Sequence, residues 1–130
     1  MAELDARHLN PDVDVTAPDG AEVRLLCANE QGSMAHFTLN PGQVSMAVSH
    51  NTVGEIWYIL EGSGRMWRKL DGKEEILKLK PGLSFTIPLG THFQFRCDGD
   101  TPLKALDITM PPWPGPDEAF EVEGKWASKT

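Results

Sequence analysis

Of the four histidines in the chain, His50 and His92 stand where their chemistry could be used. His50 is followed five residues later by Glu55, which opens a strongly apolar run, Glu55-Ile56-Trp57-Tyr58-Ile59-Leu60. A carboxylate in such a run needs compensation, because burying an unpaired charge is costly. A divalent metal ion is the most economical compensation, since imidazole nitrogen and carboxylate oxygen are donors that zinc, iron, manganese and nickel share. A second stretch, Pro81 to Arg96, repeats the order of Pro-Gly turn, strand, tight turn and histidine, and supplies His92. The reading is that these two stretches face each other across a small barrel and build one site.

The elements that must position them are short strands. Ten prolines and twelve glycines punctuate the 130 residues at the spacing of an all-β fold. Strands are predicted over Ala21 to Ala28, Ser33 to Leu39, Gln43 to His50, Glu55 to Leu60 and Arg65 to Leu70, then Glu74 to Leu79, Leu83 to Ile87, His92 to Cys97 and Leu103 to Met110. Asp71-Gly72 between two of them is a strong hairpin signal. In the third strand Val44, Met46 and Val48 share the face of His50. Period-two alternation likewise groups Glu55 with Trp57 and Ile59, and His92 with Gln94 and Arg96. About nine strands without long helices make a sandwich or a barrel closed on itself, which removes exposed sheet edges. The expected organisation is an N-terminal arm over 1–20, one β-barrel domain over 21–112 and a C-terminal extension over 113–130. A short helix is predicted near Asp117 to Phe120, after a rigid Trp113-Pro114-Gly115-Pro116 cap.

Charge narrows the function. Nineteen acidic against twelve basic residues leave a net charge of −7 with no basic stripe, which argues against nucleic acid as the main partner. The first ten residues carry charge and no apolar run, and no stretch reaches the length of a membrane span, so neither a signal peptide nor a membrane partner is expected. Cys27 and Cys97 are too few for a disulfide framework. A cytoplasmic protein with reduced, packed thiols is the expectation.

At this point the residues resemble a known family. Gly42, His50, Glu55 and Gly62 fall at the spacings of the first cupin motif, and Gly82, Pro88, Gly90 and His92 follow the second, although the spacer before His92 is one residue short. The resemblance runs from about Gly32 to Met110 and implies a double-sheet jelly-roll barrel, a double-stranded β-helix. The family's first histidine falls on Val48 and its closing asparagine on Arg96. The resemblance therefore implies His50, Glu55 and His92 pointing into the barrel, a facial triad with open positions for water, dioxygen or substrate around iron, zinc, nickel or manganese.

Around that triad, Trp57 is the candidate cavity wall and Gln94 a candidate hydrogen-bonding partner of ligand or of Glu55. Arg65, Arg68 and Arg96 could anchor an anion, and only Arg96 shares parity with His92. His36 would be a fourth donor if its strand faced inward. The leading reading is a small metal-dependent cupin enzyme, of dioxygenase or isomerase type, acting on a small oxygen-rich metabolite, with Glu55 as the catalytic group. The alternative is a non-catalytic small-molecule-binding cupin whose metal site is degenerate or absent. By the resemblance, and with Tyr58 and Leu60 facing outward, a homodimer is expected.

Overall fold

The computed structural model describes residues 3–130; the first two residues of the predicted N-terminal arm lie outside the described residues. Strands follow in the order β1 (Val15–Thr16), β2 (Glu22–Ala28), β3 (Ser33–Leu39), β4 (Val48–His50), β5 (Gly54–Glu61) and β6 (Gly64–Leu70). The order continues through β7 (Lys73–Leu79), β8 (Ser84–Ile87), β9 (His92–Cys97), β10 (Leu103–Met110) and β11 (Ala119–Glu121). They form a six-stranded sheet, β1-β2-β3-β10-β5-β8, and a five-stranded sheet, β11-β4-β9-β6-β7. All named pairings are antiparallel, and the two sheets enclose one core as a jelly-roll barrel. Among the described residues no helix is long and apolar enough to cross a membrane.

Alternation explains which side chains fill that core. Along β5, Glu55, Trp57 and Ile59 are buried while Ile56 and Tyr58 face out; along β10, Leu103, Ala105, Asp107 and Thr109 are buried. Trp57 stacks on Phe85 and meets Phe37, Phe93 and Phe95 edge to face, so an aromatic cluster joins both sheets. Each such ring contributes about 2–3 kcal/mol by leaving water. Asp71-Gly72 forms the predicted hairpin, with φ of 52° and 79° at the two turn residues, as a right-twisted two-residue turn requires.

Two predicted elements are corrected. The strand over Gln43 to His50 is regular only at Val48–His50, because Val44 bridges both Arg96 and Lys129 and the backbone before it follows β9 irregularly. No α-helix covers Asp117 to Phe120: Pro116–Glu118 make one 3-10 turn, and Ala119–Glu121 pair with β4 as an added strand. The C-terminal extension thus runs as a strap across the end of the barrel and then along the outer face of the second sheet.

Candidate functional site

The first part of the site is set by the connection between β4 and β5. His50 ends β4 and Glu55 begins the buried face of β5, and Asn51–Val53 between them are clamped by the strap. The buried Glu118 carboxylate accepts hydrogen bonds from the Thr52 amide (2.6 Å), the Thr52 hydroxyl (2.6 Å) and the Val53 amide (2.9 Å). Burial opposes its charge, but those three donors and the nearby His50 outweigh burial and hold its pKa below the ordinary glutamate value. The strap also lays Trp113 over His50, with ring centroids 5.2 Å apart, while its amide donates to Ser33 Oγ.

Beneath Trp113, His50 Nδ1 lies 3.6 Å from Glu55 Oε1, too long for a hydrogen bond but within ion-pair distance, and the two side chains are only 6% and 2% exposed. Register then adds a residue that the sequence reading missed. Thr109 of β10 sits opposite Glu55 and Asp107 opposite Trp57, so Asp107 is the diagonal neighbour of Glu55 on the same inner face. Asp107 is 1% exposed, and no donor from the described chain reaches either of its oxygens or Glu55 Oε1. Burial raises its pKa well above the ordinary value, and the charge of Glu55 and that of Asp19 push the same way; the neutral acid can share its proton with Glu55. Asp19, in the loop before β2, is buried too, and burial, with Glu55 adding to it, pushes its pKa to about 6 although the Ala21 amide donates to its Oδ1.

A signal for Asp107 existed. In Leu103-Lys104-Ala105-Leu106-Asp107 the aspartate shares the parity of two apolar residues, the same anomaly that singled out Glu55. Asp19 offered none, because Pro18-Asp19-Gly20 reads only as a turn.

Of the residues singled out in the sequence, His50, Glu55 and Trp57 come together inside the barrel. His92, Gln94, Arg96 and His36 do not, which corrects the predicted triad and its surroundings. Phe93 and Phe95 of β9 face the core, packing on Trp57, so alternation turns His92, Gln94 and Arg96 to the outer face. The short spacer after Gly90 is the reason: counted from that glycine, the motif's histidine position falls on Phe93, and a one-residue slip moves a strand's side chains to the opposite face. Gln94 is a clamp for the tail. Its amide nitrogen donates to the carbonyls of Ser45 and Trp126 (both 2.8 Å), and its oxygen accepts from the amides of Lys125 and Trp126 (both 2.9 Å). Gly124 lets the tail lie that close, since a Cβ there would stand 2.5 Å from Gln94 Oε1. Arg96 and Arg65 both lie over the Trp126 ring, at 5.2 and 5.5 Å, and both pair with Asp98, so neither is free to anchor a substrate. Arg68 is the arginine of the inner parity, but its guanidinium covers Phe85 and pairs with Glu75 and the Thr86 carbonyl. His36 lies opposite Arg24 and Leu106, on the outer face of the other sheet; burial, then Arg24 and Lys104, lowers its pKa.

The donors at hand do not fit the metal centre implied by the resemblance. Val48 and Phe93, neither a metal ligand, line the core beside His50, and no group of three or more His, Cys, Asp or Glu among the described residues has the geometry to hold a metal ion. What remains is a buried imidazole, one carboxylate beside it, and a carboxylic acid that shares the carboxylate's field.

Comparison with known proteins agrees with the architecture. Residues 35–109, more than half of the chain, match the family model described as a cupin domain, and the chain belongs to the cupin family. The uncharacterized protein MJ1618 of Methanocaldococcus jannaschii is 35% identical over 81 residues, 62% of this chain and 62% of that protein. Oxalate decarboxylase from Bacillus subtilis superposes with a TM-score of 0.77 at 16% identity, over 94% of this chain and 33% of the other. A protein described as a predicted oxalate decarboxylase, from Thermotoga maritima, superposes with a TM-score of 0.66 at 22% identity, over 83% of this chain and 99% of the other. This chain therefore spans less than two thirds of the first two proteins, and the two solved structures share its fold at identities that carry no activity with them.

Proposed function

We propose that this cupin binds a small polar molecule at the strap-covered end of its barrel, through Glu55, Asp107 and His50, without a three-ligand metal centre. The observation that carries the reading is a set of buried carboxyl oxygens: beyond the one proton that Asp107 can share with Glu55, no N–H or O–H of the described chain reaches Glu55 Oε1 or either oxygen of Asp107. Leaving such atoms unsatisfied costs about 1–3 kcal/mol each, a cost that folding alone does not reward and that a bound ligand would recover. Metal-chelating, oxygen-rich substrates suit this donor set poorly, because the second imidazole they would need lies outside.

A second reading, proton-transfer isomerisation, is favoured by one further feature. Burial favours the neutral form of Asp107, and a carboxylic acid beside a second carboxyl group can work as an acid–base pair, here with Asp107 as the acid and Glu55 as the base. His50 would then orient Glu55 and hold its charge.

Thermal-shift screening with small hydroxy acids, diols, sugars and amines tests the reading. At least one class should raise the melting temperature of the wild-type protein, and Glu55→Gln and His50→Ala should each abolish that rise. A ligand whose shift survives both substitutions, or a panel with no effect on the folded protein, would overturn it. Transfer of solvent deuterium into the ligand, followed by NMR, separates isomerisation from simple binding.

A further inference from the structure

The same atoms point to a ligand class. We infer that the site selects a small organic cation, a primary amine in its ammonium form; this rests on the binding reading above and names what is bound.

The charge distribution comes first. Glu55 on β5, Asp107 on β10 and Asp19 before β2 converge on one end of the barrel, and His50 on β4 is the other titratable group there. The charges that act on Asp107 and Asp19 are carboxylates, with no lysine or arginine among them. Arg68 gives its two terminal nitrogens to the Thr86 carbonyl and Glu75 and leaves only its buried Nε without a partner, while Arg24 and Lys104 serve the outer face with Thr38 and Glu61. An anion entering here would meet like charge in a low-dielectric interior, which costs several kilocalories at contact distance.

Hydrogen-bonding capacity comes second, and it is complete once Asp107 gives up the proton it shares with Glu55. Three acceptor atoms lack donors, Glu55 Oε1 and Asp107 Oδ1 and Oδ2. An alkylammonium presents three N–H donors and no acceptor. A hydroxyl would supply one donor to these three acceptors, where the ammonium supplies three.

The aromatic surroundings suit the same guest. Trp113, 37% exposed, meets His50 edge to face, and Phe93 meets the same imidazole edge to face. A cation can approach over the face of a tryptophan before it is desolvated. The cleft beside the strap, about 320 Å³, is lined by Thr52 and Pro114–Glu118, the residues that directly follow Trp113 in the chain.

The proton balance provides a signature. In the free protein Asp107 favours its neutral form and shares its proton with Glu55. An ammonium bound to both oxygens takes the place of that proton, which leaves to solvent; the amine keeps its own. Binding should therefore release about one proton, and affinity should rise with pH until Asp107 is ionised in the free protein.

The experiment is isothermal titration calorimetry of the wild-type protein at neutral pH, in two buffers of different ionisation enthalpy. The probes are propylamine, 1,4-diaminobutane, propan-1-ol and propionate. Amines should bind, with about one proton released, while the alcohol and the carboxylate should not. Asp107→Asn and Glu55→Gln should each weaken amine binding by about ten- to a hundredfold, the loss of one charge-assisted hydrogen bond. Propionate or propanol binding as tightly as the amines, through Glu55, would overturn the ligand class and leave the binding reading standing. Amine binding without proton release would overturn the assignment to Asp107, and that outcome is read on the wild-type protein even if a variant fails to fold. No heat with any probe, together with a silent thermal-shift panel, would sink both.

Discussion

Phe93 meets His50 edge to face, with ring centroids 5.3 Å apart, at the point in the barrel where a second imidazole was expected. Phe93 is also the register partner of Val48, the residue at the other vacated ligand position. The two substitutions of chemistry are therefore adjacent, and together they convert a donor set into an apolar wall around His50.

That relationship makes a direct prediction. Val48→His with Phe93→His should restore donors beside His50 and Glu55 and create a site for zinc or nickel. Metal at a hundred times its dissociation constant would stabilise the double variant by about 2.7 kcal/mol, whereas the wild-type protein should show a far smaller shift. Thermal melts with and without metal, read beside metal content, check it; an equal response of the two proteins would contradict the geometry.

Asp19 should leave a mark on the pH dependence of stability. Its folded-state pKa is raised from 3.8 to about 6, so its contribution is fully present below about pH 4 and is lost as pH rises through 6. The loss amounts to roughly 3 kcal/mol at one kilocalorie and a third per unit. Asp19→Asn keeps the oxygen that accepts from Ala21 and removes the titration, so the variant should gain on the wild type between pH 4 and 7. Urea melts across that range measure the difference.

Glu118 should behave in the opposite sense. Its folded pKa lies below the ordinary 4.5, so its stabilisation is present above that value and is lost as pH falls through the folded pKa. Glu118→Gln weakens three charge-assisted hydrogen bonds to Thr52 and Val53 and should cost roughly 1–3 kcal/mol at neutral pH. Amide exchange at Thr52 and Val53 should accelerate in the variant, and the quenching of Trp113 fluorescence by acrylamide should rise as the strap loosens.

Gln94→Ala tests the clamp on the tail. Four hydrogen bonds vanish and leave the amides of Lys125 and Trp126 without their acceptor, which should cost roughly 2–4 kcal/mol. Limited proteolysis should then cut within residues 122–130, and the barrel should remain folded. A tail as resistant as that of the wild type would show that the stacking of Arg65 and Arg96 on Trp126 suffices.

Much of the molecule was legible beforehand, and the reason is local. Alternation, Pro-Gly turns and the Asp71-Gly72 hairpin are properties of neighbouring residues, and they placed eight of the nine predicted strands, with the third holding only at Val48–His50, together with the burial of Glu55 and Trp57 and the outward course of Tyr58. The anomaly of a carboxylate in an apolar strand depends only on parity, so His50 and Glu55 could be singled out, and Asp107 was open to the same argument. Which face of β9 meets the core was a different matter. Parity groups His92 with Gln94 and Arg96 but does not say whether that group or the phenylalanines face inward; pairing with β4 and β6, and packing of Phe93 and Phe95 on Trp57, decided it. The approach of Asp19 to Glu55 and of Glu118 to Thr52 was likewise beyond local reading, because each joins segments far apart in the chain. Residue types and spacings determined which groups were out of place in an apolar strand; only the closing of two sheets on each other decided which of those groups would share one interior.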